Sequence, residues 1–406
     1  MSNILTKIGI IGWDDCSAVV MSALTAKLPI CFVGEHGTNK TDGSGEIARA
    51  VLGNCRFTKY DVPLLNIDDL LGYPDPSSLA DPKSEEVRFK GTPTSIWKCD
   101  AVLFDEINRA SPFIGAKLIE VVRTGRVMGK QTNVQLVFAA INPPDKYDSA
   151  FMDLAQASRF VYVKVPSLGQ MTSSEQQAIL DMHTRGSHST GAEFLETITE
   201  ARKVMEQFSL EDLATTKHTV LKCTQVINTQ KRGIIYSARQ AQYLVRLFLA
   251  AQALKVVDPN SYNWSDSDYC SLVVATTPEV NGIVRKIVNP ADISGPIQQV
   301  LVGFKLNDPL TTARSLRDLL RIRISDQMAW AGTTKEFIEK EKDGDILREA
   351  IQNIVERQSR GDVEKELCNS LCKAAAGKLL TTGTLQDFPF SLRNLNDETL
   401  KMLGVK

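Results

Sequence analysis

The chain has 406 residues, of which 43% are hydrophobic and 23% are charged, and its formal net charge is −1. This length accommodates two or three domains, and the composition is that of a soluble globular protein. The near-neutral charge gives no global attraction to nucleic acid or to a membrane surface. No apolar run approaches the roughly 20 residues of a membrane helix.

The N-terminus and the cysteines favour a cytoplasmic protein. The apolar stretch within the first 15 residues is too short for a signal peptide and lacks a small-residue cleavage site. The 8 cysteines are scattered singly, apart from Cys368 and Cys372, and no second pair or nearby histidine completes a metal site. We therefore predict reduced cysteines without disulfides.

The first strong element is residues 28–41, LPICFVGEHGTNKT. Ile30–Val33 is an apolar run typical of a buried parallel strand, and the run ends at Gly34. Residues 34–41 nearly match the phosphate-loop pattern G-x-x-x-x-G-K-[ST], in which backbone N–H groups at a helix start surround phosphate oxygens. We expect Lys40 to reach the terminal phosphates and Thr41 to hold Mg2+.

One position of the loop departs from the pattern. Asn39 stands where the second glycine belongs, but asparagine tolerates a left-handed backbone best after glycine, so we predict that the loop still closes. The other residues expected around the phosphates are Gly34, Glu35, His36, Gly37 and Thr38. We interpret His36 as a residue that fills the loop rather than as a catalyst.

The following segments alternate between helix and strand. Helices are predicted at 16–27, 46–52, 68–73, 111–122 and 152–158, and further strands at 55–62, 101–104, 135–140 and 161–165. Residues 74–95 contain four prolines and indicate a loop or insertion, and 125–130 indicate a hairpin. Strands that alternate with helices in this way predict a parallel α/β sheet.

Polar residues end two of these strands. Asp105 and Glu106 follow a buried strand, about 65 residues after the phosphate-loop lysine. At that strand end the first acid can hold Mg2+ through water, and the second can act as a general base toward an attacking water. Asn142 follows the next buried strand at the same sheet edge, where it either orients the attacking water or begins a turn before Pro143.

The rest of the chain has helical periodicity, with clear runs at 194–208, 213–227 and 238–257 and a helical tail over 311–406. We therefore predict a nucleotide-binding domain over 1–166, a helical lid over 173–290 and a helical C-terminal extension over 300–406. Arg239 opens the third run, where it opposes the helix dipole. Either the charge has a function or it is a surface arginine.

The order of these motifs resembles that of AAA+ ATPases, and within them the MoxR group, over about residues 1–290. The most specific motif is DEINRA at 105–110, which is similar to the Walker B segment of that group. Residues 69–72 resemble the D-L-x-G turn, and 89–93 resemble the F-x-x-G-P strand. Residues 140–143 resemble sensor 1, 155–160 the E-A-Q-x-D-R-F segment, and 237–239 sensor 2. Departures from these motifs are Asn39, the inserted Thr92, Ala155, Ser158 and Ala238.

The resemblance implies an AAA+ αβα P-loop domain with a parallel sheet, a helical lid, and ATP with Mg2+ as cofactors. Asp105 and Glu106 would serve metal and water, and Asn142 would sense the γ-phosphate. Arg159 would be the arginine finger that reaches a neighbouring subunit, and Arg239 would contact nucleotide from the lid. A finger that acts between subunits implies a homo-oligomeric ring, a hexamer in this family.

The implied function is that of a ring-forming ATP hydrolase that remodels or matures a client protein, in this family commonly with a von Willebrand A-domain partner. Two alternatives stay open. One is an ATP-binding structural or regulatory ring with little hydrolysis. The other is a DNA-acting motor, the least favoured, because only Arg123, Arg126 and Lys130 would contribute to a basic pore.

Overall fold

A computed structural model describes most of the chain as two compact units. The described residues are 4–80, 88–144, 150–185, 191–229, 234, 236–285, 287–302, 304, 316–321 and 327–382. The first unit comprises Met1–Lys255 and Asn260–Phe304, and the second comprises Val256–Pro259 and Lys305–Lys406. The predicted division of the first unit into a nucleotide-binding domain and a lid stays a prediction.

The first unit contains all the described strands and twelve of the described α-helices, apart from the last two residues of α10. The strands are β1 (Ile30–Val33), β2 (Phe57–Asp61), β3 (Tyr73–Pro74), β4 (Phe89–Lys90), β5 (Ala101–Asp105), β6 (Arg126–Val127), β7 (Lys130–Gln131), β8 (Leu136–Ile141) and β9 (Val161–Lys164). The helices are α1 (Ser17–Thr25), α2 (Lys40–Leu52), α3 (Ile67–Leu71), α4 (Pro76–Ala80), α5 (Pro112–Thr124), α6 (Leu154–Ala157), α7 (Ser173–Arg185), α8 (Gly191–Gln207), α9 (Leu210–Thr229), α10 (Ala238–Val257), α11 (Asp266–Ala275) and α12 (Ala291–Leu301).

Five of these strands form one sheet in the order β2-β5-β8-β1-β9, and every pairing within it is parallel. The predicted parallel α/β architecture is therefore confirmed. Val33 lies opposite Ile141, and Asp61 lies opposite Asp105. The carboxyl ends of β1, β2, β5 and β8 consequently share one edge of the sheet.

Helices cover both faces of the sheet. On one face α5 buries Ile114, Leu118 and Val121 in the same core as the strand residues. On the other face the ring of Trp13 lies 5.1 Å from that of Phe32 on β1, and α2 contacts β2, β5 and β8. The result is a three-layered αβα arrangement with buried strands at its centre.

Two arginines satisfy the last carbonyls of α1. Arg202 on α8 donates to the carbonyl oxygens of Leu24 and Thr25, at 2.8 and 3.3 Å. Arg246 on α10 donates to the carbonyl oxygen of Ala26. Cations at a helix C-terminus complement its dipole and its unpaired carbonyls. These bonds tie α8 and α10 to the helix that leads into β1.

The structure shortens one predicted element and adds detail to another. The helix predicted at 152–158 covers only Leu154–Ala157, because Asp153 has an extended backbone and the N–H of Met152 donates to the carbonyl oxygen of Ile283. Within the predicted loop at 74–95, the structure forms α4 and pairs β4 with β3 in an antiparallel hairpin.

The second unit consists of helices, as predicted, over its described residues. They are α13 (Leu316–Arg321), α14 (Gln327–Lys340), α15 (Gly344–Ser359) and α16 (Lys365–Thr382). Trp330 is buried, donates its indole N–H to the carbonyl oxygen of Leu319 at 3.0 Å, and lies under the guanidinium of Arg357. None of the helices in the described parts of the chain combines the length and apolar character that a bilayer crossing requires.

The two glycines near the start of α2 lead to opposite predictions. A Cβ at Gly43 would lie 2.9 Å from the buried ring of Trp13, whereas a Cβ at Gly45 would meet its nearest atoms at 3.5 Å. Gly45→Ala should therefore raise the free energy of unfolding by about 0.5–1 kcal/mol through helix propensity. Gly43→Ala should lower it by about 1 kcal/mol or more, because the ring of Trp13 must shift. Chemical denaturation of both variants checks this, and equal shifts of the same sign would contradict the packing described here.

Candidate functional site

Backbone hydrogen bonds and close packing fix the loop between β1 and α2. The N–H of Gly34 donates to the carbonyl oxygen of Ile141 at 3.2 Å. A Cβ at Gly34 would lie 2.8 Å from Thr38 Oγ1 and 3.1 Å from the carbonyl oxygen of Val165, so this position excludes a side chain. Asn39 has φ 61° and ψ 22°, the predicted left-handed backbone, and its carbonyl oxygen accepts the N–H of Gly43. The loop thus turns directly into the first turn of α2.

Lys40 folds back onto its own loop. Its Nζ donates to the carbonyl oxygens of Gly34 and Glu35, both at 2.7 Å, and lies 3.3 Å from Thr38 Oγ1 and from Asn142 Oδ1. Burial lowers the pKa of the Lys40 ammonium, and nearby carboxylates act in the opposite direction. Oxygen acceptors therefore surround the ammonium. The oxygens of a phosphate group would be acceptors of the same kind.

Asn142 bridges the loop and the acidic strand end. The residue is buried, with only 7% of its surface exposed. Oδ1 accepts from Lys40 Nζ at 3.3 Å, while Nδ2 donates to Glu106 Oε1 at 3.1 Å. Nδ2 also lies 3.3 Å from His36 Nε2. The sequence-predicted side chains of Lys40, Thr38, Asn142, His36 and Glu106 consequently form one connected polar cluster.

The carboxylate of Asp105 is engaged at both oxygens. Oδ1 accepts the backbone N–H of Glu106 at 3.1 Å, and Oδ2 forms an ion pair with Lys59 Nζ at 2.8 Å. The hydrogen bond with Asp105 raises the pKa of the Lys59 ammonium. Sequence reasoning missed Lys59. The only available signal was a lysine on a strand that ends beside β5.

Glu106 is held by a second cation. Its backbone is left-handed, with φ 53°, where β5 gives way to the helical turn Ile107–Arg109. Oε2 forms an ion pair with Arg109 Nη1 at 3.0 Å. A non-glycine residue in this conformation costs about 1–2 kcal/mol. Backbone strain of this kind is concentrated at functional sites.

The cluster fits ATP with Mg2+. The first N–H groups of α2 and the Lys40 ammonium suit phosphate oxygens. Thr41, partly exposed on the first turn of α2, and Asp105 offer the hard oxygen ligands that Mg2+ prefers. Within the described residues, no group of three or more histidine, cysteine, aspartate or glutamate side chains is placed to hold a metal by itself.

The two predicted arginines lie together, beside the start of β9. Arg239 Nη1 donates to Ser158 Oγ at 3.0 Å, and the hydroxyl of Tyr243 donates to the carbonyl oxygen of Arg159 at 3.4 Å. Burial, followed by the charges of Arg239 and Arg123, lowers the pKa of the Arg159 guanidinium. Its Nε is buried and has no partner among the described residues. This arrangement concentrates positive charge at one place.

The arginines lie at the opposite edge of the sheet from the phosphate loop. Val161 of β9 pairs with Ile30 of β1, so Arg159 precedes the sheet whereas Gly34 follows it. Arg239 is at the same end as Arg159, because it donates to Ser158. The length of the strands therefore separates both arginines from the phosphate loop of their own chain.

The fold is similar to that of a solved structure. A candidate ATPase from Cytophaga hutchinsonii ATCC 33406 has a similar structure, with a TM-score of 0.51 over 75% of this chain and 94% of that one. The two chains share this fold, in which a parallel sheet lies between layers of helices. Sequence identity is 17%, so the likeness concerns the fold alone. No protein-family model matches the chain, and no curated protein matches it either.

The backbone of Asn39 leads to a prediction about the loop. Asn39→Ala should lower the free energy of unfolding by about 1 kcal/mol, because alanine is strained in the left-handed region. Asn39→Gly is the matched control and should stay within about 0.5 kcal/mol of the wild type, because glycine adopts this conformation freely. Thermal and chemical denaturation measure both effects. An alanine variant as stable as the glycine variant would contradict the left-handed conformation.

Proposed function

We propose that the chain is a Mg2+-dependent ATP hydrolase. The observation that carries this is the connected cluster of Lys40, Asn142 and Glu106 at the carboxyl edge of the parallel sheet. Lys40 would exchange its own loop carbonyls for phosphate oxygens. Asp105 and Thr41 would hold Mg2+, which neutralises the charge that develops on the phosphates.

The residues of the cluster have separate tasks in this proposal. Glu106 would accept a proton from the attacking water, since its carboxylate lies at the end of β5 beside the loop. Asn142, on the next strand, would orient that water and the terminal phosphate with its amide. Its hydrogen bonds to Lys40 and to Glu106 keep the phosphate-binding group and the base in a fixed relation.

We propose further that the active form is a ring of identical chains, a hexamer by the MoxR resemblance. Arg159 and Arg239 lie at the opposite edge of the sheet from their own phosphate loop, and they form one positive cluster. In a ring this cluster would face the nucleotide of the neighbouring copy, where an arginine stabilises the transition-state charge. A monomer would leave each site incomplete.

The remodelling of a client protein is the output we propose, again from the MoxR resemblance, with a von Willebrand A-domain partner and a cytoplasmic location. The hairpin of β6 and β7 offers a contact surface for a client. Met128 at its tip is 50% exposed. The N–H groups of Met128 and Gly129 donate to the carboxylate of Glu120 on α5, so the tip is fixed to the core. The helices of the second unit are where we place partner docking.

One observation favours the alternative of a regulatory ring with little hydrolysis. The ion pair with Arg109 engages the carboxylate of Glu106, at 3.0 Å. Because the pair occupies Oε2, this oxygen must leave Arg109 before it can accept a proton from water. Arg109→Ala separates the two proposals. It should raise the basal hydrolysis rate if Arg109 restrains Glu106, and leave the rate unchanged if the pair opens during turnover.

Steady-state ATP hydrolysis tests the main proposal. Glu106→Gln should lower kcat by a factor of about 100 or more while nucleotide binding and the nucleotide-dependent increase in mass remain. Arg159→Ala should lower kcat about a thousandfold, because the transition-state charge loses its arginine. Wild-type protein that assembles with ATP but hydrolyses it no faster than Glu106→Gln would refute hydrolysis in favour of the regulatory ring.

Mixed rings test whether Arg159 acts between copies. Lys40→Ala and Arg159→Ala should both be inactive alone, but an equal mixture should regain activity at about one quarter of the interfaces, where an intact loop meets an intact arginine. Lys40→Ala mixed with Glu106→Gln is the matched control. It should regain nothing, because both residues belong to the same site. Equal activity of the two mixtures would contradict the proposal.

A further inference from the structure

An ammonium group occupies the carboxylate that would bind magnesium. Lys59 Nζ lies 2.8 Å from Asp105 Oδ2, and the lysine side chain is 40% exposed whereas that of the aspartate is 19% exposed. Asp105 Oδ1 is already engaged by the N–H of Glu106. A metal that approaches Asp105 through Oδ2 therefore meets Lys59 first.

The strand register dictates this pair. Lys59 lies on β2 at the edge of the sheet and is the register partner of Leu103 on β5. Asp105 is two positions further along β5, on the same face, and is thus the diagonal neighbour of Lys59. The long side chain of Lys59 spans this diagonal, since its Nζ lies 2.8 Å from Asp105 Oδ2. The pair follows from the fold rather than from a chance surface encounter.

A second acceptor for Lys59 lies on its own strand. Asp61 is exposed, is two residues after Lys59, and is the register partner of Asp105. Side chains two apart on a strand share a face, so the carboxylate of Asp61 is within reach of the same ammonium. Lys59 can leave Asp105 for Asp61 without moving into water as an unpaired charge.

We propose that Lys59 is a positioning residue that holds Asp105 while no metal is bound. When the site loads, Mg2+ displaces the ammonium of Lys59 toward Asp61. This inference rests on the proposed nucleotide site. Lys59 would raise the Mg2+ concentration at which Asp105 is occupied. Nucleotide bound to the loop brings its own phosphates as metal ligands, so Lys59 would restrict metal loading to the nucleotide-bound chain.

The experiment measures metal and nucleotide binding separately on the full-length chain. Binding of a fluorescent ATP analogue in EDTA reports the phosphate loop without metal. Binding of Mn2+ is followed by electron paramagnetic resonance, with protein in molar excess over ADP, and this measurement reports the affinity of the metal site. Lys59→Gln should bind Mn2+ about fivefold tighter than the wild type, and Lys59→Arg, which keeps the charge and the ion pair, should stay within about twofold.

A matched control separates the pair from a general change of charge. Lys98 is exposed and precedes β5 at the other end of the strand, so Lys98→Gln alters the net charge equally without touching Asp105. Its Mn2+ affinity should equal that of the wild type. Asp61→Asn should weaken Mn2+ binding, because the displaced lysine loses its second acceptor.

Each other result has a defined meaning. Equal Mn2+ affinities of the wild type and Lys59→Gln, with nucleotide bound normally in EDTA, would overturn the role of Lys59 alone. An equal gain for Lys59→Gln and Lys98→Gln would also overturn it, because the effect would then be one of net charge. Failure of the wild type to bind the nucleotide analogue more tightly than Lys40→Ala would overturn the proposed function, and this inference with it.

Discussion

Three neighbouring strands, β5, β8 and β1, run in the same direction, and the candidate site depends on this. Parallel neighbours about 4.8 Å apart end at one edge, so Glu106, Asn142 and the phosphate loop meet there. Asn142 follows the middle strand, and its two amide atoms can therefore serve a partner on each side. An antiparallel β8 would place this amide at the far edge, and Lys40 and Glu106 would then have no bridge.

The same edge balances its charges without any ligand. Lys40 is surrounded by loop carbonyls, while Asp105 and Glu106 are paired with Lys59 and Arg109. Buried or half-buried charges are unfavourable unless they are paired, so these contacts stabilise the chain by itself. A nucleotide and a metal that bind here as proposed would replace existing partners. Their binding free energy would then be a difference between two paired states, which small changes in the partners would tune.

Local patterns in the sequence sufficed for the strands and the loop, but not for contacts across the fold. β1 and β5 are predictable because buried parallel strands are continuous apolar runs, and Asn39 because few residues accept a left-handed backbone. The contact of Lys59 with Asp105 depends on strand order, which no local pattern contains. The hydrogen bond from Arg239 to Ser158 joins residues that are 81 positions apart in the chain. The sequence predicts only that Arg239 lies on a helix, and this bond brings it to the start of β9. The roles of the site residues, the ring and the client stay predictions.

The arginines that cap α1 connect two helices of the first unit, α8 and α10, to the strand that leads to the phosphate loop. Arg202 and Arg246 attach α8 and α10 to the last carbonyls of α1, and the chain then passes through Lys27, in a left-handed turn, into β1 and the phosphate loop. Hydrogen bonds from charged donors are each worth about 1.5–3 kcal/mol. A rotation of these helices must therefore either break such bonds or carry α1 with it. β1 is therefore joined to the phosphate loop at one end and, through α1, to α8 and α10 at the other. A displacement at either end of β1 is transmitted to the other end.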